Sequence, residues 1–524
     1  MSNISPSPNP PFPFNLRERK HIPMIMGTEH PDNASPARFL NPPSAKIMVK
    51  DEIAEFHYMF KKLGMDEVML DAEGKAAEAT PLMKLLPLDM EYYRKNVIGR
   101  NLFITFRVPN LEHKRDYRLP NSFQTILTST RFMQGEFGLK QPPLLEAILP
   151  MTVNGHQPFR VMKWFHDTAR SEHKIWNDAH NHDFIGVIPL VEEPRHMLHF
   201  KQLLYDYVHD IKNNFGFVPQ YLRTMIARSD PAMMGGLISA TLGAKVAISE
   251  NYLFEKETGI KVFPIIGVGT LLTRGLYSPV TIDEFFRTYP GVKTVTVQSA
   301  FRYDYDEKSV RKAVSRTKKK IRVAKPVIYS EEEKVVISKI IEKAEREYRR
   351  QMLPLLPMVL ELSRFVPMNR ERLLHIGFLS YARKIRGKKD SLPRAINFTA
   401  VFYTAGLPPE FLGVAGALAS LTQAEKRLLS RAYPNLISQL KYSAPYFNEE
   451  NLLILSKKWP IIRRAFESVK KFAEENDIKL GPQISHQILH RNHTSNAIQH
   501  YLAGDYNLFV SSLVKAGKCR HALG

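Results

Sequence analysis

The stretch "FIGVIPLVEEPRHMLHFKQLLYDYVHDIKNNFGFVPQYLRTMIARSD" spans residues 184–230, and its reading decides the fold. It opens on a short, nearly unbroken apolar run, "FIGVIPL". Runs of that kind suit a strand buried on both faces, as in parallel sheets. Met197, Phe200, Leu204, Tyr207 and Ile211 then recur at helical spacing, and Gly216 stands where a helix ends in a left-handed residue. A second apolar run, "LRTMIA" from Leu222, follows. Strand, helix, strand is the unit from which parallel α/β folds are built.

The same rhythm extends in both directions. Further strands are expected at "DEVML" (from Asp66), "LFITFRV" (from Leu102), "LEAILPM" (from Leu145), "KVFPIIGV" (from Lys261), "KTVTVQS" (from Lys293) and "LLHIGFLS" (from Leu373). Eight strand–helix alternations predict an α/β protein with a (β/α)8 TIM-type barrel and additional helices. The stretch "SEEEKVVISKIIEKAEREYRRQML" opens with Ser330 and Glu333 at capping-box spacing and stops before Pro354. Beyond residue 405 the pattern is helical. The expected organisation is a Pro-rich disordered extension (1–21), a catalytic barrel (22–405) and an α-helical C-terminal region packed on it (406–524).

Composition narrows the function classes. Lys and Arg number 74 against 52 Asp and Glu, a formal charge of +22, which suits an anionic partner without naming one. The basic run "RKAVSRTKKKIRVAK" from Arg311 reads as a solvated helix or connector. Aromatic platforms interleaved with basic residues are missing, so nucleic acid is not the expected partner. Cys519 is the single cysteine, which excludes an intramolecular disulfide and a thiolate-rich metal site and suits a cytoplasmic protein. No run reads as a membrane span, and the Pro-rich start lacks the pattern of a secretory signal. His166, His173 and His180 recur every seven residues, and His486, His490 and His493 lie within helical reach. Neither set has zinc-site spacing.

In barrels of this type the chemistry stands at the carboxyl ends of the strands. There the chain places Asp71, Glu73, Lys75, Arg107, Glu192, Arg228, Asp230, Arg274, Gln298, Arg302, Arg383 and Arg394. Glu192 and Asp230 follow neighbouring strands, about 4.8 Å apart, so they can share a cation. Two carboxylates completed by substrate oxygens and water suit Mg2+ or Mn2+. Arginines around them suit phosphate and carboxylate groups. "GTEHPDN", from Gly27, adds His30 in a turn before a proline. By itself such a histidine is more often structural or solvated.

The motifs "GTEHPDN", "LDAEGK", "FRVPN", "ARSDP", "PIIGVGT…RG", "TVTVQSAFRYDY" and "LPRAI", in this order, resemble the compact archaeal-type phosphoenolpyruvate carboxylases. The resemblance runs from about residue 22 to beyond residue 408. It implies a Mg2+- or Mn2+-dependent barrel enzyme, commonly a homotetramer, that converts phosphoenolpyruvate and bicarbonate to oxaloacetate and phosphate. Carboxyphosphate and an enolate are the implied intermediates. His30 matches the proton-accepting histidine of a His-Pro motif, and Glu192 and Asp230 match the metal carboxylates. Arg383 and Arg394 match paired arginines for phosphate and bicarbonate, and Arg274 a catalytic arginine of a loop after a strand. Arg107 is the expected substrate arginine of an early strand, with Arg302 a further substrate contact. The larger enzymes' His-Gly-Arg-Gly-Gly loop is replaced here by "GVGTLLTRG". The competing expectations are another metal-dependent phosphoenolpyruvate or pyruvate lyase or mutase, which would not need bicarbonate or His30, and a basic RNA-binding protein.

Overall fold

The computed structural model describes residues 4–19, 21–75, 78–112, 116–176, 183–370 and 392–524. Eight parallel strands close into a barrel: β1 (Ile25–Gly27), β2 (Glu67–Asp71), β3 (Phe103–Arg107), β4 (Glu146–Leu149), β5 (Gly186–Val191), β6 (Tyr221–Ala227), β7 (Lys261–Gly267) and β8 (Thr294–Val297). β1 pairs with β2 on one side and β8 on the other, so Met26 lies opposite both Glu67 and Thr296. The expected TIM-type barrel is therefore present.

Its closure differs from the expectation. The run from Leu373 lies outside the described residues, and the strand that closes the barrel is Ile25–Gly27. A three-residue strand between Pro23 and the His-Pro turn is too short to show any periodicity. Glu192 and Asp230 thus follow β5 and β6, and Arg274 follows β7.

The helices used below are α1 (Glu52–His57), α2 (Arg118–Phe137), α3 (His156–Trp176), α4 (Phe200–Phe215), α5 (Ser229–Thr258), α6 (Ile282–Thr288), α7 (Glu307–Val323), α8 (Glu331–Met352), α9 (Ala395–Ala405), α10 (Ser485–Leu502) and α11 (Tyr506–Cys519). α4 ends as its sequence predicts, with Gly216 left-handed at φ 75°. α8 starts with the Ser330–Glu333 capping box in place. The basic run forms α7, which buries Val310, Ala313, Val314, Thr317 and Ile321 and turns its cations outward. α5 is long and apolar enough to cross a membrane, yet its apolar window is 94% buried within the protein.

Two large apolar cores organise the chain. One joins the outer faces of the strands to α2, α3, α4, α6 and α7. The other joins Met233, Leu237, Ile238, Leu242 and Val246 of α5 to α8 and the helices that follow. The second core thus draws on residues well before 406, and α8 belongs to the helical layer.

The N-terminal extension, expected to be disordered, is packed from residue 4. Phe12 and Phe14 are buried, and the Ser7 amide donates to Val218 O at 3.0 Å. Arg19 enters the amino end of the barrel, where Nη2 donates to Glu146 Oε2 at 2.8 Å. Arg223 of β6 bridges Glu146 (2.8 Å) and Glu67 (2.7 Å) in the same layer. These charges are wholly enclosed, so each must be paired to persist there. The composition of the extension suggests solvent; two phenylalanines and one arginine with buried partners decide otherwise.

Candidate active site

Above the polar layer, Met26, Met69, Ile148, Ile188, Leu190, Met225 and Ile265 fill the barrel. The carboxyl ends of the strands then open into a cavity of about 310 Å3. His30, Arg107, Glu192, Asp230, Arg274 and Arg394 all line it. Those six residues stand as far apart in the chain as 30 and 394, and the fold gathers them at one end of the barrel.

Glu192 follows the last residue of β5 directly, and Asp230 is the second residue of α5, three beyond β6. β5 and β6 are paired, with Leu190 opposite Met225 and Val191 opposite Ile226. The two carboxylates therefore reach one cavity from adjacent strands. Among the described residues no group of three or more His, Cys, Asp or Glu gathers as a metal site. Two hard oxygen donors beside space for substrate and water fit a divalent cation. His490, from one of the histidine sets, is buried against Arg520 instead, and burial holds its ring well below the ordinary histidine range.

His30 sits in a turn braced from several sides. Its Nδ1 lies 3.0 Å from Thr28 Oγ1, and its carbonyl accepts from the Ser299 amide at 3.2 Å. Asp32 accepts from the Ala300 amide at 2.7 Å, and Asp304 accepts from the amides of Ala34 (2.9 Å) and Ser35 (2.5 Å). Just before the histidine, Glu29 pairs with Lys75 at 2.7 Å, and Lys75 also pairs with Glu52. Burial, with Glu29 close by, pushes the Glu52 carboxyl up to about 8.

The arginines divide into two kinds. Arg107 lines the cavity while Nε and Nη2 grip both oxygens of Asp71, at 3.1 and 2.9 Å. Burial acts to lower its pKa, but Asp71, Glu73 and Glu192 outweigh that and hold it a cation. Arg274 donates to Asp32 (3.1 Å), to Ser229 Oγ (3.3 Å), to Gly524 O (2.6 Å) and to Gln298. Arg394 lines the cavity as the residue capping the start of α9.

Arg302 does not line the cavity. It is fully enclosed behind β8, where Nη1 donates to the carbonyls of Thr28 (2.9 Å) and Val297 (2.7 Å) and Nη2 to Glu55 (2.8 Å). Its expected substrate contact is replaced by a bracing role under the His30 turn. Arg383 lies outside the described residues. The sequence reading missed Arg370, which lines the cavity and pairs with Glu55 at 2.6 Å. No motif around it signals this. The role of Asp32 also went unread, although it stands two residues from His30.

A (β/α)8 barrel with paired carboxylates, a histidine turn and several arginines at the carboxyl ends of its strands defines a class: a barrel enzyme for small anionic, metal-assisted substrates. Comparison with known proteins makes this particular. The family model described as phosphoenolpyruvate carboxylase matches residues 22–524. Phosphoenolpyruvate carboxylase of Leuconostoc mesenteroides is 33% identical, covering 96% of this chain and 99% of its own. The enzymes of that name from Metallosphaera sedula and Methanothermobacter thermautotrophicus are each 34% identical, covering 88% and 91% of this chain and 91% and 96% of their own. The chain belongs to the phosphoenolpyruvate carboxylase family.

Proposed function

We propose that this chain forms oxaloacetate and phosphate from phosphoenolpyruvate and bicarbonate in the cavity at the carboxyl end of the barrel. The observation that carries the reading is the convergence there of His30, Glu192, Asp230, Arg107, Arg274 and Arg394. The volume, about 310 Å3, suits a small substrate.

A bicarbonate oxygen attacks phosphorus, and the bond from phosphorus to the enol oxygen breaks. This yields carboxyphosphate and the enolate of pyruvate. Phosphoryl transfer asks little of the protein beyond positioning and charge stabilisation. Arg107, Arg274 and Arg394 supply fixed positive charge without reorganisation. His30 accepts the carboxyphosphate proton, and carboxyphosphate separates into phosphate and CO2. Carbon 3 of the enolate then attacks CO2, forming the new carbon–carbon bond. Imidazole is a common general base, and the Thr28 contact orients the His30 ring. Glu192 and Asp230 would hold a divalent cation, Mg2+ or Mn2+, which supplies Lewis-acid stabilisation of phosphoryl and enolate oxygens.

The product replenishes a four-carbon acid pool, which suits a cytoplasmic enzyme. A homotetramer is the proposed assembly, and light scattering after gel filtration reads it directly. The reaction is tested by supplying purified protein with Mg2+, phosphoenolpyruvate and bicarbonate and coupling oxaloacetate to malate dehydrogenase. Bicarbonate-dependent oxaloacetate is the expected result. Pyruvate or a mutase product with no bicarbonate requirement would favour the alternative barrel lyase or mutase.

A further inference from the structure

α5 is continuous in sequence but broken in geometry. Gly236 has φ 84° and ψ 175°, a conformation essentially confined to glycine. The break separates a short first piece, carrying Ser229 and Asp230 into the cavity, from a long buried helix. Such a break interrupts the hydrogen-bond ladder, and the carbonyls ahead of it need other donors.

Those donors come from α8, in the helical layer. Tyr348 Oη donates to Met233 O at 2.7 Å, and Arg349 Nε to Met234 O at 3.4 Å. The Tyr348 ring also occupies the space left by the glycine: a Cβ on Gly236 would lie 2.8 Å from Tyr348 Cδ2. Gly413 also presses close to it: a Cβ there would lie 2.4 Å from Tyr348 Cα. Ser239, beyond the break, donates to Glu345 of the same helix at 2.9 Å. Tyr348 is thus held by its neighbours and in turn holds the Met233 carbonyl of the piece that carries Asp230.

We propose that Tyr348 is a positioning residue for the Asp230 carboxylate, acting through the Met233 carbonyl and the break at Gly236. The proposal rests on the reading of Asp230 as a cation ligand. The helical layer then serves the site directly, because α8 sets the tilt of the turn that presents Asp230.

Mn2+ binding to the purified full chain, followed by electron paramagnetic resonance without substrate, tests this. Tyr348→Phe keeps the ring and removes only the hydroxyl. It should weaken Mn2+ binding by roughly tenfold, as lost outer-shell support does. Its circular dichroism should match the unsubstituted chain at the temperature of the titration. A purely structural tyrosine would leave the affinity of the folded protein unchanged, and that result overturns the proposal. Arg349→Met, on the exposed flank of α8, should weaken binding in the same direction by a smaller factor. It serves as the second variant if Tyr348→Phe does not fold, and unchanged binding there counts against the proposal. Asp230→Asn run alongside should lose the site. Loss in Asp230→Asn with full affinity in Tyr348→Phe refutes the clamp alone, whereas full affinity in Asp230→Asn refutes the ligand reading and the clamp with it.

Discussion

Arg274 Nη1 lies 3.1 Å from Asp32 Oδ2, which ties the loop after β7 to the turn that carries His30. Both side chains are buried. Burial pushes the Asp32 carboxyl up, against the opposing pull of Arg274 and the Ala300 amide. Arg274 therefore does two things at once: it lines the cavity, and it fixes the turn from which His30 projects.

Replacing Arg274 by lysine preserves charge but not the fork that reaches Asp32, Ser229, Gln298 and Gly524 together. Arg274→Lys should lower kcat/KM for phosphoenolpyruvate by roughly 10²-fold, on the scale of losing one preorganised donor. Steady-state kinetics at saturating bicarbonate measures it, and near-normal turnover would remove Arg274 from the machinery.

His30→Asn separates the two halves of the reaction. Oxaloacetate formation should be largely abolished while some bicarbonate-dependent phosphate release persists, because in the proposed sequence the imidazole acts only after phosphoryl transfer. Parallel assays of phosphate and oxaloacetate read the two yields. Retained carboxylation would assign the proton to another group.

Arg302 and Arg274 should behave differently. Arg302→Met leaves Glu55 buried with one cation fewer and strips donors from the carbonyls of Thr28 and Val297. Burial acts to raise the Glu55 carboxyl, but Arg370 and Arg302 together bring it to about 2. Glu55 keeps Arg370, but the lost pairing and the carbonyls left without donors should cost about 1–3 kcal/mol. Denaturant unfolding should show that loss, while KM for phosphoenolpyruvate in the folded fraction stays near its original value. A large KM change without destabilisation would restore Arg302 as a substrate contact.

Asp304 gives a pH signature. Burial pushes its carboxyl up to about 7, against the amides of Ala34 and Ser35. Between the ordinary carboxylate range and pH 7 the folded chain binds this proton more tightly than the unfolded chain does. Its contribution to stability therefore falls as pH rises across that interval. Asp304→Asn removes the titration, so from pH 4 to pH 7 the melting midpoint of the variant should fall less, or rise more, than that of the unsubstituted chain. A midpoint that declines as steeply as before would show that other groups dominate.

The sites legible in the chain were those attached to strong local patterns. Glu192 and Asp230 follow long apolar runs, so strand ends and cavity could be read together. His30 had no such support from spacing; its turn stood out only through the order of motifs further along. Arg302 misled because an arginine after a strand looks the same whether it turns into the cavity or behind the sheet. Its direction depends on Glu55, nearly 250 residues away in the chain.

Local chemistry in the residues sufficed for the strand–helix rhythm, the end of α4 at Gly216 and the capped start of α8, since each depends on neighbours within one turn or one strand. Tertiary structure alone decided that Ile25–Gly27 closes the barrel, that Arg19 seals its amino end, and that Tyr348 braces the turn bearing Asp230. Each joins groups brought together from distant parts of the chain, where pairing of buried charges and exclusion of water, not local propensity, set the outcome.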